Sequence, residues 1–246
     1  MPRYFIHLAY NGKNYHGWQR QHNARSVQEE IQQKLQILLK QPIEITGCGR
    51  TDTGVHARQF YAHFDISHSI KTDKICYQLN ALLPTDIAIY DIFLVEPTLH
   101  ARFDATYREY EYHISTQRTP FYNELSWQFT PKLNIDVMNN AAKLLLKHTH
   151  FECFSKVNTQ VKTFNCKVSK AHWKLQPNGM LVFTIGADRF LRNMVRAIVG
   201  TLVDVGLNKI DIEQFNAILH SNNRCMAGQS VPARGLFLTQ VNYPKF

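Results

Sequence analysis

The order in which two hydrophobic periods follow one another constrains this chain more than any single motif. Residues Arg3 to Tyr10 alternate, Phe5 and His7 against Ile6 and Leu8, as a half-buried strand does. Asn11-Gly-Lys-Asn-Tyr-His-Gly-Trp18 breaks the pattern with two glycines and reads as loop. Ser26-Val-Gln-Glu29 then has the form of a capping box, followed by Val27, Ile31, Leu35 and Leu38 at helical spacing, up to Pro42. Ile43 to Gly47 reads as a short strand and Gly49 to Gly54 as a turn; Phe60, Ala62, Phe64 and Ile66 alternate again. A helix from about Asp73 to Leu83 stops at Pro84, and Ile87 to Val95 is the next strand. That order, β-α-β-β-α-β, is the split βαβ or ferredoxin-like pattern.

The second half repeats it. Tyr107 to Ser115 is a strand and Ile135 to Lys147 a helix with Val137, Ala141, Leu144 and Leu145 on one side. Lys167 to Leu175 and Met180 to Gly186 form a hairpin around Pro177-Asn178-Gly179. Phe190 to Val205 and Ile212 to Leu219 are helices, and Leu236 to Val241 closes the chain as a strand. The expectation is an α+β fold of two modules, residues 1–97 and 98–246, joined near Glu96-Pro97-Thr98. Antiparallel sheets continuing edge to edge would flank a central cleft.

Composition narrows the function. Hydrophobic residues at 44% and charged residues at 19% exclude a disordered chain. No apolar run is long enough to cross a membrane, and the first residues lack the apolar core of a signal peptide. Five cysteines, an odd number with no C-x-x-C pair, argue against a secreted disulfide framework, so a cytoplasmic protein is expected. His148, His150, Glu152 and Cys153 could be read as zinc ligands, but their spacing does not offer a closed set of four, so no metal is expected. The usual phosphate cradles and the nucleophile elbow are absent. Lys and Arg outnumber Asp and Glu by 28 to 19, a net charge of +9, which favours a polyanionic partner: nucleic acid first, an anionic membrane surface second.

Three stretches could carry chemistry. In Gly47-Cys-Gly-Arg-Thr-Asp-Thr-Gly-Val-His-Ala57, glycines bracket Arg50, Thr51 and Asp52. Spacing alone favours a turn aspartate bonded to its own backbone; the functional alternative is a carboxylate projecting into a cleft. Arg50 is unusual for a plain turn and could hold a phosphate. In the second stretch, His100 to Tyr112, Tyr110 and Tyr112 share one strand face, either as core aromatics or as a platform on which a base stacks. In the third, Ala187 to Gly200, Arg189, Arg192 and Arg196 recur at helical steps. Arg196 lies in an apolar run, where it is either exposed by the helix's curvature or buried with a carboxylate partner.

Taken together, these segments resemble the TruA-type tRNA pseudouridine synthases. The resemblance is carried by Tyr10-Asn-Gly-Lys-Asn-Tyr-His-Gly-Trp-Gln19, Gly49-Arg-Thr-Asp-Thr-Gly-Val-His-Ala57, Ala101-Arg-Phe-Asp-Ala105 with Tyr110-Glu-Tyr112, Phe190-Leu-Arg-Asn-Met-Val-Arg196 and Ala233-Arg-Gly-Leu236. They run in family order over nearly the whole chain. Thr53 and Cys48 depart from the small residues common at those positions. The resemblance implies isomerisation of uridine to pseudouridine at positions 38, 39 and 40 of the tRNA anticodon stem-loop, with no cofactor, metal or nucleoside triphosphate. It implies that Asp52 attacks the ribose carbon or removes a ribose proton, after the base is flipped out. Arg196 would pair with that aspartate, Tyr110 would stack on the target uracil, and Arg50 would help hold the flipped nucleotide. It also implies a homodimer.

The remaining cations would line an RNA groove that reads shape; candidates are Lys13, Arg20, Arg25, Arg58, Arg102, Lys156 and Lys162. A non-catalytic RNA-binding or RNA-folding protein fits the charge and aromatics equally, but leaves Asp52 and Arg196 without a purpose. A metal-dependent nucleic-acid hydrolase would want carboxylate clusters that the chain does not show.

Overall fold

The computed structural model describes residues 1–157 and 161–244. In chain order these form β1 (Arg3–Tyr10), α1 (Val27–Leu39), β2 (Thr46–Gly47), β3 (His56–Asp65), α2 (Thr72–Leu82), β4 (Ile87–Val95), β5 (Tyr107–Ser115), β6 (Trp127–Gln128), α3 (Ile135–Leu145), β7 (Val168–Leu175), β8 (Met180–Ala187), α4 (Met194–Gly206), α5 (Ile212–His220) and β9 (Leu236–Asn242). The fold is α+β, with mostly antiparallel strand pairing. The chain divides into two compact units. One takes in Met1–Thr106 and the C-terminal run from Leu238; the other is Tyr107–Phe237.

In the first unit β1 lies between β4 and β3, antiparallel to both, with β9 next to β3 and β2 paired on β3. Ile6 pairs with Ala62 and Ile92 on one face, and all three are buried; Phe5 and His63, paired on the other face, are buried as well, so the middle of this sheet is covered on both sides. Helix α1 buries Val27, Ile31 and Leu35. The Ser26 oxygen accepts from Glu29 N–H at 3.3 Å, which is one half of the expected capping box, while the Glu29 carboxylate lies 3.5 Å from Arg20. The helix ends where Lys40 turns left-handed, before Pro42. The short strand expected from Ile43 is only Thr46–Gly47; Gln28 and Gln36 side chains take the carbonyls of Ile45 and Ile43, so this backbone bonds to α1 instead of to a full strand partner.

His63 on β3 gives this unit a pH dependence. It is buried, and its Nδ1 accepts the Ala101 N–H at 3.1 Å, which requires that nitrogen to be unprotonated. Burial first, then Arg3 and His100, lower its pKa to about 4. The unfolded chain therefore takes up a proton on this residue between about pH 6.5 and pH 4 that the folded chain refuses, and stability falls as pH falls through that window. Asp65, held below the usual carboxylate range by its hydrogen bonds from Arg3, pulls the same way at still lower pH. Denaturant melts of the wild type and His63→Gln at pH 7.5 and 5 check this: the wild type should lose stability between the two, and the variant should lose less.

In the second unit β8 lies between β5 and β7, antiparallel to both, and every residue of β8 is buried. The hairpin turn forms as its residues dictate, with Gly179 at φ +78° and the Asn178 side chain accepting Met180 N–H at 3.1 Å. Register places Tyr110 opposite Ile185 and Tyr112 opposite Phe183. Helix α3 packs on β7, α4 and α5. Helix α4 is apolar nearly all round, from Met194 to Val205, and is correspondingly sunk in the core.

One expectation fails here. The helix expected from Phe190 starts at Met194, because Asn193 sits left-handed at φ +67° and cuts the helical run. Arg189 and Arg192 therefore do not share a helix face with Arg196; they lie in the segment leading into α4.

Candidate active site

Asp52 lies in the turn between β2 and β3 and is half-buried. The loop that follows β1 holds this turn. The Thr51 hydroxyl, buried, sits 2.9 Å from the Tyr10 hydroxyl and accepts the Trp18 N–H at 3.1 Å. Gly54 N–H donates to the Tyr15 carbonyl at 3.2 Å, and Val55 N–H closes the turn on the Asp52 carbonyl at 3.1 Å. Gly12 N–H donates to His56 Nδ1 at 3.1 Å. Gly17, at φ +88°, lets its backbone approach the Thr51 carbonyl so closely that any Cβ would collide with it. The clamp is itself anchored: Tyr15 is buried, its hydroxyl donates to Asp86, and Asn14 donates to the other oxygen of Asp86 at 3.0 Å. Desolvation together with Asp86 raises the Tyr15 pKa well above its usual value, so the hydroxyl keeps the proton it donates. Trp18 stacks on Phe60 at 4.1 Å between centroids. The result is a carboxylate on a turn whose backbone is fixed on both sides. Arg50, two residues earlier, is exposed.

In the second unit, Tyr110 is half-buried and meets Phe190 edge to face, 5.2 Å between centroids at 90°. Tyr112, its neighbour on the same face, is fully buried and donates to the Pro232 carbonyl at 2.7 Å. The two tyrosines thus divide their roles: Tyr112 is core, and Tyr110 keeps part of its surface exposed. Arg196 is in the first turn of α4, half-buried, and its Nε donates to the Val231 carbonyl at 2.8 Å. Its backbone carbonyl accepts Val231 N–H at 3.3 Å, so Arg196 bonds Val231 through both its side chain and its backbone.

The seven candidate RNA cations are all exposed. Their surroundings differ. Arg25 pairs with Glu30 at 2.7 Å and lies over the Tyr15 ring, and Arg20 is 3.5 Å from Glu29. Those two charges are partly offset by Glu29 and Glu30 in the first turn of α1. Arg102 lies over Phe103. Among the described residues no group of three or more His, Cys, Asp or Glu side chains is placed to hold a metal ion. His150 instead faces Glu152 at 3.2 Å, and the Cys153 thiol is directed at the Leu219 carbonyl. No described helix is long and apolar enough to cross a membrane.

Sequence reasoning placed Thr51, Trp18 and Tyr15 inside its motifs without giving them the clamping role, and missed Asp86 altogether. The pair of glycines in the loop after β1 was the signal for this role, since they permit the close approach seen at Thr51 and Val55.

A family model described as tRNA pseudouridine synthase matches residues 7–104 and 141–244. Similar proteins include tRNA pseudouridine synthase A of Parabacteroides distasonis, 49% identical over all of this chain and 97% of that protein. That of Bacteroides fragilis is 48% identical over all of this chain and 98% of its own length. That of Ruminiclostridium cellulolyticum is 36% identical over 99% of this chain and its whole length. This chain belongs to the tRNA pseudouridine synthase family, whose reaction is the isomerisation of uridine to pseudouridine in tRNA.

Proposed function

From that membership we propose that the enzyme acts on uridines 38, 39 and 40 of the anticodon stem-loop, with Asp52 as the reacting carboxylate. The observation that carries this is the clamped Thr51–Asp52 turn: a half-buried carboxylate on a backbone held from two directions. In the reaction the bond from the ribose carbon to N1 breaks, the uracil turns, and C5 bonds to the same carbon. C5 loses a proton and N1 gains one, so no atom is gained or lost and no cofactor or metal is called for. Asp52 either attacks the ribose carbon or takes a ribose proton to give a glycal. A lone carboxylate suits such a reaction better than hydrolysis, which needs a second carboxyl to activate water or protonate the leaving group. The stacked uracil hides its ribose carbon, so the nucleotide is flipped out first.

In this reading Tyr110 stacks on the flipped uracil, Arg196 supplies the cation for Asp52, and Arg50 helps hold the nucleotide. Lys13, Arg20, Arg25, Arg58, Arg102, Lys156 and Lys162 neutralise phosphates along the tRNA. The active species is a homodimer working in the cytoplasm. Mapping pseudouridine in tRNA from cells lacking this protein tests the assignment: the modification should disappear at 38, 39 and 40 and nowhere else.

Two predictions arise here. If several phosphates are neutralised, the logarithm of the tRNA binding constant falls linearly with that of salt, with a slope of roughly −0.7 to −0.9 per contact. A binding titration that stays flat from low to physiological salt would remove these cations from the interface. Tyr110→Phe keeps the ring and its edge-to-face contact with Phe190 but removes the hydroxyl. We expect tRNA affinity within about twofold of wild type and turnover reduced by about ten- to a hundredfold, if the hydroxyl helps remove the C5 proton. Full turnover in Tyr110→Phe leaves stacking as its only role.

A further inference from the structure

The Arg196 guanidinium is fixed by the Val231 carbonyl, and that carbonyl belongs to a strap, Ala227 to Val231, with no strand or helix of its own. What holds the strap is a second layer of contacts around Ser230. The Ser230 hydroxyl oxygen accepts from the Asn193 side-chain amide at 2.6 Å and from the Arg224 guanidinium at 2.9 Å. Arg224 also donates to the carbonyls of Ala227 and Gly228 at 3.2 and 3.1 Å. Asn193 is the left-handed residue that starts α4, three positions before Arg196. One hydroxyl therefore ties together the start of the helix that carries Arg196 and the strap that carries its acceptor.

Helix and strap have other attachments that do not pass through Ser230. Gly228 N–H donates to the Thr201 hydroxyl at 2.9 Å, Val231 N–H to the Arg196 carbonyl, and Gly200 lets the Gln229 carbonyl approach where a Cβ would collide. Those contacts keep the strap on α4. Ser230 sets something finer: the relative position of residue 193 and residue 231, and through them the direction of the guanidinium.

We infer that Ser230, gripped by Asn193 and Arg224, is a positioning residue that aims Arg196 for the isomerisation. The inference rests on the role proposed above for Arg196. None of the three need touch RNA. Their effect falls on the chemical step and leaves binding alone, because an arginine displaced by a fraction of an ångström still carries its charge but no longer meets a carboxylate squarely.

The test measures kcat, KM and tRNA affinity for Ser230→Ala, Ser230→Thr and Arg196→Lys, and for the double variant Ser230→Ala with Arg196→Lys. We expect Ser230→Ala to lower kcat about tenfold with KM and tRNA affinity within about twofold, and Ser230→Thr, which keeps the hydroxyl, to restore most of the loss. In the Arg196→Lys background, Ser230→Ala should cost less than about twofold, since the group it aims is already gone. Wild-type kcat in Ser230→Ala, or a full tenfold loss that persists on top of Arg196→Lys, overturns the positioning role. Wild-type turnover in Arg196→Lys alone overturns the reading of Arg196 itself and this inference with it, a pattern distinct from the other two. Should Ser230→Ala not fold, Asn193→Gly asks the same question, because glycine accepts φ +67° without cost while losing the amide. The same selective loss of kcat is expected, and its absence is as damaging.

Discussion

Asp52→Asn is expected to abolish conversion of uridine, by three orders of magnitude or more at roughly the scale seen when a reacting carboxylate or nucleophile is removed, while the protein stays folded and binds tRNA. The selectivity follows from how the turn is built. Its bonds run through the Asp52 carbonyl, the Thr51 hydroxyl and the backbones of Gly12 and Gly54, and none of these bonds uses the Asp52 carboxylate. Asparagine has nearly the same volume and suits the same turn. Removing a negative charge beside a polyanion should leave affinity unchanged or raise it slightly. Single-turnover assays with labelled tRNA, alongside a binding titration and a thermal melt, read all three quantities. A loss no greater than that of a surface substitution would make Asp52 a turn residue and end the mechanism proposed here.

The variant is informative because spacing alone did not separate the two readings of Asp52. A turn aspartate and a reacting carboxylate sit in the same glycine-bracketed string. The fold adds an observation that the string does not carry: Thr51 is a buried polar residue whose hydroxyl meets groups from residues 10 and 18, buried hydrogen bonds that a plain surface turn does not require. No local pattern encodes it, since Thr51 is 41 residues from Tyr10 and 33 from Trp18.

The strands and helices were largely legible for the opposite reason. Alternation along the second half of β1 and helical spacing along α1 and α3 are local consequences of which face meets the core. Legibility failed where a tertiary contact outweighed local preference. The segment from Phe190 reads as helix by its apolar spacing, yet Asn193 turns left-handed, with its amide on Ser230, thirty-seven residues away. Likewise Ile43 to Ile45 reads as strand, but glutamines of α1 take its carbonyls. Arg20 and Arg25, in the loop before α1, pair with Glu29 and Glu30 of its first turn; net charge counted the cations and overlooked where the acids lay.

Arg196→Lys carries the second large effect. The position holds two obligations at once. Nε donates to the Val231 carbonyl, and the remaining edge of the planar guanidinium is what a carboxylate would recognise. Lysine keeps the charge but offers one compact ammonium on a flexible stem, so it serves the carbonyl or the carboxylate, and neither with a fixed direction. We expect kcat to fall about a hundredfold with tRNA affinity within about twofold, since long-range attraction to phosphate depends on charge and hardly on shape. Losing one hydrogen bond between helix and strap should cost about 1 kcal/mol, a fall in Tm of roughly 2–4 °C for a chain of this length. That is too small to account for a hundredfold loss of turnover through unfolding, so the two readouts separate a misdirected group from a weakened fold. If affinity and turnover fall by the same factor, Arg196 is holding a phosphate, and the cation for Asp52 must come from elsewhere in the chain.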